Sequence, residues 1–171
     1  LLTPAQGWAR VYNMGRIDLL PVECLGNRIR ILDQTRLPQE EVYLELGDYQ
    51  SVASAIRELK VRGAPAIGVA GAYGIALGAL SIEARSVGEF RNKVRGVINA
   101  LADTRPTARN LFRAMERMEQ AAATGDTPEQ VKQALVAEAV KIQTEEMEAT
   151  RKISQFGAEL IPDKAAILTH C

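Results

Sequence analysis

The chain has 171 residues, and its 21 lysines and arginines are balanced by 21 aspartates and glutamates, so its formal net charge is zero. Hydrophobic residues make up 47% and charged residues 25%, proportions that exclude wholesale disorder and suit a folded globular protein. The neutral charge and the 5% of aromatic residues argue against a nucleic-acid-binding surface. One histidine and two cysteines are too few for a Cys/His zinc site or a disulfide-based fold.

The first part of the chain predicts a small antiparallel sheet. Residues 16–20 and 28–33 are expected to form two strands joined by the Gly26-Asn27 turn, a pair typical of hairpins. Residues 41–46 alternate between apolar and polar side chains, which predicts a third strand with its apolar side chains on one face.

Three helices are predicted next. Asp48 is the expected N-cap of the first, because aspartate accepts hydrogen bonds from the free amides of a first turn. Its apolar positions keep helical spacing at Val52, Ala55, Ile56 and Leu59. The second helix begins near Pro65. The third carries one apolar stripe, formed by Phe90, Val94, Val97, Ile98 and Leu101.

Two more helices are predicted in the second half of the chain. The fourth starts at Pro106 and ends before Gly125, a residue type that commonly terminates helices. Its buried face is expected to contain Leu111, Phe112, Met115 and Met118. The fifth begins at residues 127–130, where Thr-Pro-Glu-Gln combines a capping box with proline in the first turn, and runs to about Leu160.

Residues 64–82 form a charge-free run that is long enough to cross a membrane. The run is rich in alanine and glycine, so its transfer into lipid is poorly favoured. Gly71, Gly74 and Gly78 clear one face of the predicted helix, so that another backbone can approach closely. We therefore predict a buried helix of a globular protein; a helical assembly module that uses this face in a dimer interface is an alternative.

The chain divides into three predicted segments. Residues 1–47 form the small β-sheet segment, and residues 48–163 form the helical segment of the same α+β N-terminal domain. Residues 165–169 are mostly apolar, as in a strand of a parallel sheet buried on both faces. Residues 164–171 are therefore predicted to be the first strand of a Rossmann-like α/β domain that is otherwise absent, and we expect the chain to be a piece of a longer protein.

An arginine precedes a proline-initiated helix at two places in the sequence. Residues 62–65 read Arg-Gly-Ala-Pro, and residues 105–107 read Arg-Pro-Thr. The free amides and positive dipole end of a helix favour an anion, glycine lets the anion approach, and a guanidinium is suited to phosphate. The pattern predicts an anion site at each helix start. The alternative of two exposed arginines without a role stays open, because arginine is common beside helix starts.

The two cysteines receive different interpretations. Cys171 lies at the carboxyl end of the last predicted strand, the edge at which open α/β sheets bind ligands, so a functional thiol is one interpretation. A small buried residue at a strand end is the other. His170 points to the opposite face of that strand and is not expected to pair with Cys171. Cys24, which precedes the predicted turn, is expected to be structural.

Four segments in order carry a resemblance to a known family. They are residues 32–38 (LDQTRLP), residues 61–68 (VRGAPAIG, followed by AYG at residues 72–74), residues 104–108 (TRPTA) and residues 167–171 (ILTHC). In these motifs the chain resembles the S-methyl-5-thioribose-1-phosphate isomerase family of methionine salvage, which is related to the regulatory subunits of translation initiation factor 2B. Gly71 and Arg109 stand where that family is expected to have alanine and an aliphatic residue.

The resemblance implies an aldose–ketose isomerase that converts 5-methylthioribose 1-phosphate to 5-methylthioribulose 1-phosphate. It implies that Arg62, Gly63, Ala64 and Arg105 hold the substrate and that Cys171 is the active-site cysteine. The family's general-acid aspartate belongs to a later segment that this chain lacks, so the chain alone is predicted to be inactive. No metal or organic cofactor is implied. A sugar phosphate is the expected partner, with neither nucleic acid nor membrane, and the full-length protein is expected to be a cytoplasmic homodimer.

Related activities are alternatives. The first is a sugar-1-phosphate isomerase acting on 5-deoxyribose 1-phosphate or ribose 1,5-bisphosphate. The Pro-Ala-Ile-Gly sequence at residues 65–68 favours the methylthioribose branch over the bisphosphate branch. The second is a non-catalytic regulatory subunit like those of initiation factor 2B, which is not expected to retain Arg62, Arg105 and Cys171 together.

Overall fold

A computed structural model describes residues 20–166 and Leu168. Within these residues a three-stranded antiparallel sheet precedes five helices, which confirms the predicted α+β class. The strands are β1 (Val22–Cys24), β2 (Ile29–Leu32) and β3 (Tyr43–Leu46). The helices are α1 (Tyr49–Arg57), α2 (Ala64–Ser81), α3 (Val87–Ala102), α4 (Arg109–Ala122) and α5 (Pro128–Leu160).

The sheet has the strand order β1-β2-β3, with both neighbouring pairs antiparallel. The strand that pairs with β2 across the Gly26-Asn27 turn is β1 at Val22–Cys24, and not residues 16–20 as predicted; residues 16–19 lie outside the described residues. The reason is the turn itself, in which the amide of Leu25 donates to the carbonyl of Arg28 at 2.9 Å. Because so short a turn pairs the residues that flank it, the first strand has to end beside it.

The predicted helix caps and the α3 stripe are confirmed. Asp48 caps α1 and Thr127 caps α5, each by accepting a hydrogen bond from the amide three residues further on, at 2.7 and 3.3 Å. All five predicted side chains of α3 are buried. Leu59 departs from its predicted place in α1: it lies beyond the helix end with a φ of +61° and is 43% exposed. A left-handed residue ends a helix and turns its side chain away from the helix's buried face.

α2 lies at the centre of the domain, where it contacts the other four helices and β1. It is long and apolar enough to span a membrane, but 72% of it is buried inside the fold. Its glycines meet side chains of the same chain, with Gly71 against Leu111 and Met115, Gly74 against Leu101 and Val52, and Gly78 against Val97. The glycine face is therefore used inside the domain, and the alternative that places it in a dimer interface is wrong.

α4 begins later than predicted. Pro106 lies in a turn that is closed by the amide of Ala108 donating to the carbonyl of Arg105 at 3.0 Å, and the helix starts at Arg109. Proline suits the second position of such a turn as well as it suits the first turn of a helix, so the sequence alone does not separate the two. Three of the four predicted side chains are buried, whereas Phe112 lies at the edge of the stripe and is 38% exposed.

The two halves of α5 have different surroundings. Its first half is buried against the domain at Val131, Leu135, Ala139 and Ile142. Its second half is exposed from residue 148 to its end, apart from Gly157, and carries the large apolar side chains of Ile153, Phe156 and Leu160. The helix ends at Leu160, as predicted.

The strand predicted at residues 165–169 stays a prediction. Its described residues, Ala165, Ala166 and Leu168, are exposed and lie outside the three strands. Ile167 and residues 169–171 lie outside the described residues. The division of the chain after residues 47 and 163 also stays a prediction.

Candidate functional site

The start of α2 offers backbone donors beside an exposed arginine. Gly63 is the N-cap, with φ 89° and ψ 133°, and a Cβ placed on it would meet nothing within 4 Å. Among the described residues no backbone carbonyl accepts from the amides of Ala64 and Ala66, while Pro65 has no amide hydrogen. These two amides, the positive end of the helix dipole and the exposed Arg62 are therefore available to an anion.

The loop before α2 is held from the connection between β2 and β3. The backbone amide of Gln34 donates to the carbonyl of Lys60 and its side-chain Nε2 donates to the carbonyl of Arg62, both at 3.0 Å. The buried Asp33 fixes that connection, because its Oδ1 accepts from the amide and the hydroxyl of Thr35 at 3.1 and 2.6 Å. The Arg62 loop is thus tied to the sheet.

The start of α4 is held from within its own segment. Thr104 is buried, and its hydroxyl donates to the carbonyl of Leu101 at 2.6 Å, which fixes the residue before the half-buried Arg105. No side-chain cap precedes α4. In the part of the chain that the structure describes, the amides of Arg109 and Asn110 find no backbone acceptor. This helix start therefore also presents free donors beside an arginine.

Contacts between α2 and α4 place the two helix starts on the same side of the domain. A Cβ on Gly68 would lie 3.0 Å from the carbonyl oxygen of Asn110, and one on Gly71 would lie 2.9 Å from Cε of Met115. From Gly68 to Gly71 on α2, the contacts move from Asn110 to Met115 on α4, so the two helices run parallel where they meet. The positive ends of both helices consequently point to the same side of the domain, as do Arg62 and Arg105, which precede them in sequence.

The arginines near the two helix starts are not held in salt bridges among the described residues. Arg62, Arg105 and Arg109 form no ion pair within residues 20–166. Arg109 lines an open cleft of about 640 Å³ beside Pro106, whereas neither Arg62 nor Arg105 lines it. The structure therefore places both predicted arginines on one side of the helix pair, but not in one enclosed pocket.

A second cavity of about 270 Å³ lies between α2, α4 and α5, with Pro65 in its lining. Two of its lining side chains, Arg117 and Glu145, form an ion pair, and Arg117 also pairs with Glu138 at 2.6 Å. The hydrogen bond from Arg117 lowers the pKa of Glu145 below its ordinary value. Such paired charges make this cavity a poorer anion site than the open helix starts.

The sequence does not predict that Arg109 and Gln34 belong to the candidate site. Arg109 adds a positive charge at the start of α4, although it is noted in the sequence only as a departure from the resembled family. Gln34 contacts the Arg62 loop from a distant part of the chain. The one sequence signal for Gln34 is its place in the motif at residues 32–38.

Cys24, the cysteine within the described residues, is not a candidate nucleophile. Burial raises the pKa of the Cys24 thiol to about 11, so the thiol is protonated at neutral pH, in agreement with its expected structural role. Cys171 and His170 lie outside the described residues, and the role expected for Cys171 stays a prediction. Within the described range no three His, Cys, Asp or Glu side chains come together as metal ligands.

Two bacterial relatives carry the same name. A Dehalococcoides mccartyi protein named methylthioribose-1-phosphate isomerase is 59% identical over 150 residues, which are 88% of this chain and 45% of that protein. A Geobacter metallireducens protein of that name is 49% identical over 152 residues, 88% of this chain and 44% of that protein. The chain thus spans less than half the length of these curated relatives.

Two solved structures share the fold. The crystal structure of 5-methylthioribose 1-phosphate isomerase from Pyrococcus horikoshii OT3 aligns with a TM-score of 0.79 and 35% identity, over 83% of this chain and 40% of that one. The structure of translation initiation factor eIF-2B subunit delta from A. fulgidus aligns with a TM-score of 0.77 and 40% identity, over 84% and 42%. The model of the Initiation factor 2 subunit family matches residues 60–171. Because that match covers well over half of the sequence, the chain belongs to the Initiation factor 2 subunit family.

Proposed function

We propose that this chain supplies the sugar-phosphate-binding part of an aldose–ketose isomerase that converts 5-methylthioribose 1-phosphate to 5-methylthioribulose 1-phosphate in methionine salvage. The observation that carries the proposal is the exposed Arg62 beside the open, uncapped start of α2. The 59% identity to the Dehalococcoides mccartyi isomerase supports the choice of reaction.

The phosphate of such a substrate suits the two helix starts. Arg62 and Arg105 each offer a planar fork of N–H donors that fits two phosphate oxygens. The Ala64 amide adds a backbone donor, and Gly63 leaves room for the phosphate to reach it. A neutral protein with a local cluster of arginines is matched to one small anion rather than to a polyanion.

The chemistry of the substrate explains why further groups are needed. Phosphate on the anomeric carbon blocks ring opening through a free hemiacetal, so the ring oxygen has to be protonated as its bond to C1 breaks. Ring opening leaves C1 electron-poor, and the electron pair of the C2–H bond moves toward C1, carried there by a hydride or through an enol that is then protonated at C1. The C2 hydroxyl loses its proton and becomes the ketone, which balances the proton gained by the ring oxygen. We propose that Cys171 assists the transfer of hydrogen from C2 to C1. Protonation of the ring oxygen falls to an aspartate outside this chain, and no step uses a metal or an organic cofactor.

A non-catalytic regulatory role is the second candidate. It is favoured by the likeness to the A. fulgidus initiation-factor subunit, at a TM-score of 0.77 and 40% identity. The joint presence of Arg62, Arg105 and Cys171 favours the isomerase instead, because a regulatory subunit has no need for a phosphate site and a thiol together. Isomerases of 5-deoxyribose 1-phosphate or ribose 1,5-bisphosphate use the same phosphate chemistry and differ in the pocket for the 5-substituent.

The test is a chimera in which this chain replaces the segment of 150 residues that it matches in the Dehalococcoides mccartyi relative. We expect the chimera to isomerise 5-methylthioribose 1-phosphate, and the isolated 171-residue chain to show no turnover. A folded chimera without activity contradicts the proposal. Assays with 5-deoxyribose 1-phosphate and ribose 1,5-bisphosphate compare the alternative substrates.

The two cysteines provide a matched pair of variants in the chimera. Cys171→Ser is expected to abolish turnover, whereas Cys24→Ser is expected to leave it within about twofold, because the Cys24 thiol is protonated and serves packing. Retained activity in Cys171→Ser removes the role assigned to Cys171.

We infer that the complete protein is a cytoplasmic homodimer with a sugar phosphate as its small-molecule partner. The resemblance to the isomerase family supports this assembly. Light scattering of the chimera at several concentrations checks it: a monomer at all concentrations contradicts the dimer.

A further inference from the structure

The side chain of Gln34 joins two segments that are distant in sequence. It starts from the connection between β2 and β3, and its Nε2 donates to the carbonyl of Arg62 at 3.0 Å. Its own backbone amide donates to the carbonyl of Lys60 at 3.0 Å. The two bonds lie on either side of Val61, which is buried at 1% exposure. The three-residue segment that leads to α2 is therefore fixed along its length.

The bond to Arg62 sets the orientation of one particular peptide group. A peptide unit is planar and trans, so the carbonyl of Arg62 and the N–H of Gly63 point in opposite directions from the same plane. When Gln34 holds the carbonyl, it also directs the Gly63 N–H away from the β2–β3 connection. Gly63 has φ 89° and lacks a Cβ, so without that bond this peptide is free to rotate more than others.

The base from which Gln34 reaches is itself rigid. The amide of Asp33 donates to the carbonyl of Val42 at 2.8 Å, and the Asp33 carboxylate accepts two hydrogen bonds from Thr35. Gln34 therefore transmits the fixed position of the sheet to the Arg62 loop. No other side chain among the described residues donates to the carbonyl of Arg62.

We propose that Gln34 is a positioning residue, which holds the Arg62–Gly63 peptide so that the Arg62 guanidinium and the first amides of α2 meet the sugar phosphate together. The inference rests on the proposed function for its substrate, but its structural part concerns this chain alone. Glutamine suits the role because its side chain is long enough to reach the carbonyl of Arg62 and carries an N–H donor. An ionised glutamate has no donor, and alanine has no polar side chain.

The structural part is tested by ¹⁵N relaxation of the Gly63 and Ala64 amides in the 171-residue chain. We expect order parameters of about 0.85 in the wild type, falling toward about 0.6 in Gln34→Ala and Gln34→Glu. Gln39→Ala is the matched control, because this exposed glutamine lies in the same connection and makes no side-chain hydrogen bond within the described residues. Unchanged order parameters in both Gln34 variants overturn the proposal, whether or not the chain supports an isomerase.

The functional part is tested in the active chimera. Gln34→Ala is expected to raise KM for 5-methylthioribose 1-phosphate roughly 3- to 10-fold, the effect of one hydrogen bond, with a smaller change in kcat. Gln39→Ala is expected to leave both constants unchanged. In an Arg62→Ala background the Gln34 effect should shrink, because the group that Gln34 positions is gone. Full additivity of the two substitutions contradicts positioning through the Arg62 loop, while an inactive wild-type chimera rejects the proposed function instead.

Discussion

The starts of α2 and α4 offer the same kinds of donor, but different parts of the chain hold them in place. Both present free amides and an arginine on the same side of the domain. The α2 start depends on distant residues, because Gln34 ties its loop to the sheet and Gly63 adopts a left-handed conformation. The α4 start depends on its own segment, through a turn closed by Ala108 and a buried threonine beside it. The same arrangement of amides and an arginine is therefore held by distant contacts in α2 and by local contacts in α4.

Removing one arginine at a time from the chimera tests whether both helix starts bind the substrate. Arg62→Ala and Arg105→Ala are each expected to raise KM for 5-methylthioribose 1-phosphate roughly 10- to 100-fold, because each deletes charge-assisted hydrogen bonds to phosphate. Steady-state kinetics measure the effect. Arg28→Ala is the control: its exposed ion pair with Glu45 lies on the sheet, and KM should stay within about twofold. If only one arginine matters, the two helix starts do not share a substrate.

A second test separates the supports of the two helix starts. Gly63→Ala is expected to lower the free energy of unfolding by about 1–3 kcal/mol, because a φ of 89° strains the backbone of an alanine. The new methyl group meets no neighbour, so a steric clash does not add to this effect. Ala108→Gly at the other N-cap, where φ is −83°, should change this free energy by less than about 1 kcal/mol, because the capping preference for glycine and its larger loss of chain entropy oppose each other. Urea denaturation of the 171-residue chain measures both. Equal changes in the free energy of unfolding at the two positions would contradict the inference that only the start of α2 depends on a left-handed residue.

The smallest expected effect concerns the cavity behind the two helix starts. The hydrogen bond from Arg117 lowers the pKa of Glu145, so the folded state favours the charged carboxylate. This contribution is present above the ordinary pKa of 4.5 and is lost as the pH falls through the lowered value. Glu145→Gln should therefore reduce the difference in stability between pH 7 and acid pH. An unchanged pH dependence shows that the pair contributes nothing there.

Local chemistry made several elements predictable. Asp48 and Thr127 cap helices because their side chains reach amides three residues away, an interaction that is fully specified by adjacent sequence. The α3 stripe is predictable because helical periodicity places its apolar residues on one face. Both features need no knowledge of the rest of the fold.

Other features were beyond prediction from the sequence, because a local pattern fits more than one structure or because a distant contact decides the outcome. Pro106 suits a turn and a helix start equally, and the structure places it in the turn. The contact of Gln34 with Arg62 spans 28 positions, which no local pattern records. Arg109 contributes to the candidate site because α4 starts there rather than at the proline.

An NMR titration of the 171-residue chain with a pentose 1-phosphate, and separately with inorganic phosphate, tests whether the two helix starts bind one anion. We expect the amides of Ala64 and Ala66 at the start of α2 to shift together with those of Arg109 and Asn110 at the start of α4, with one shared Kd. The contradicting result is a titration in which these amides do not shift, or in which the two helix starts shift with unrelated affinities.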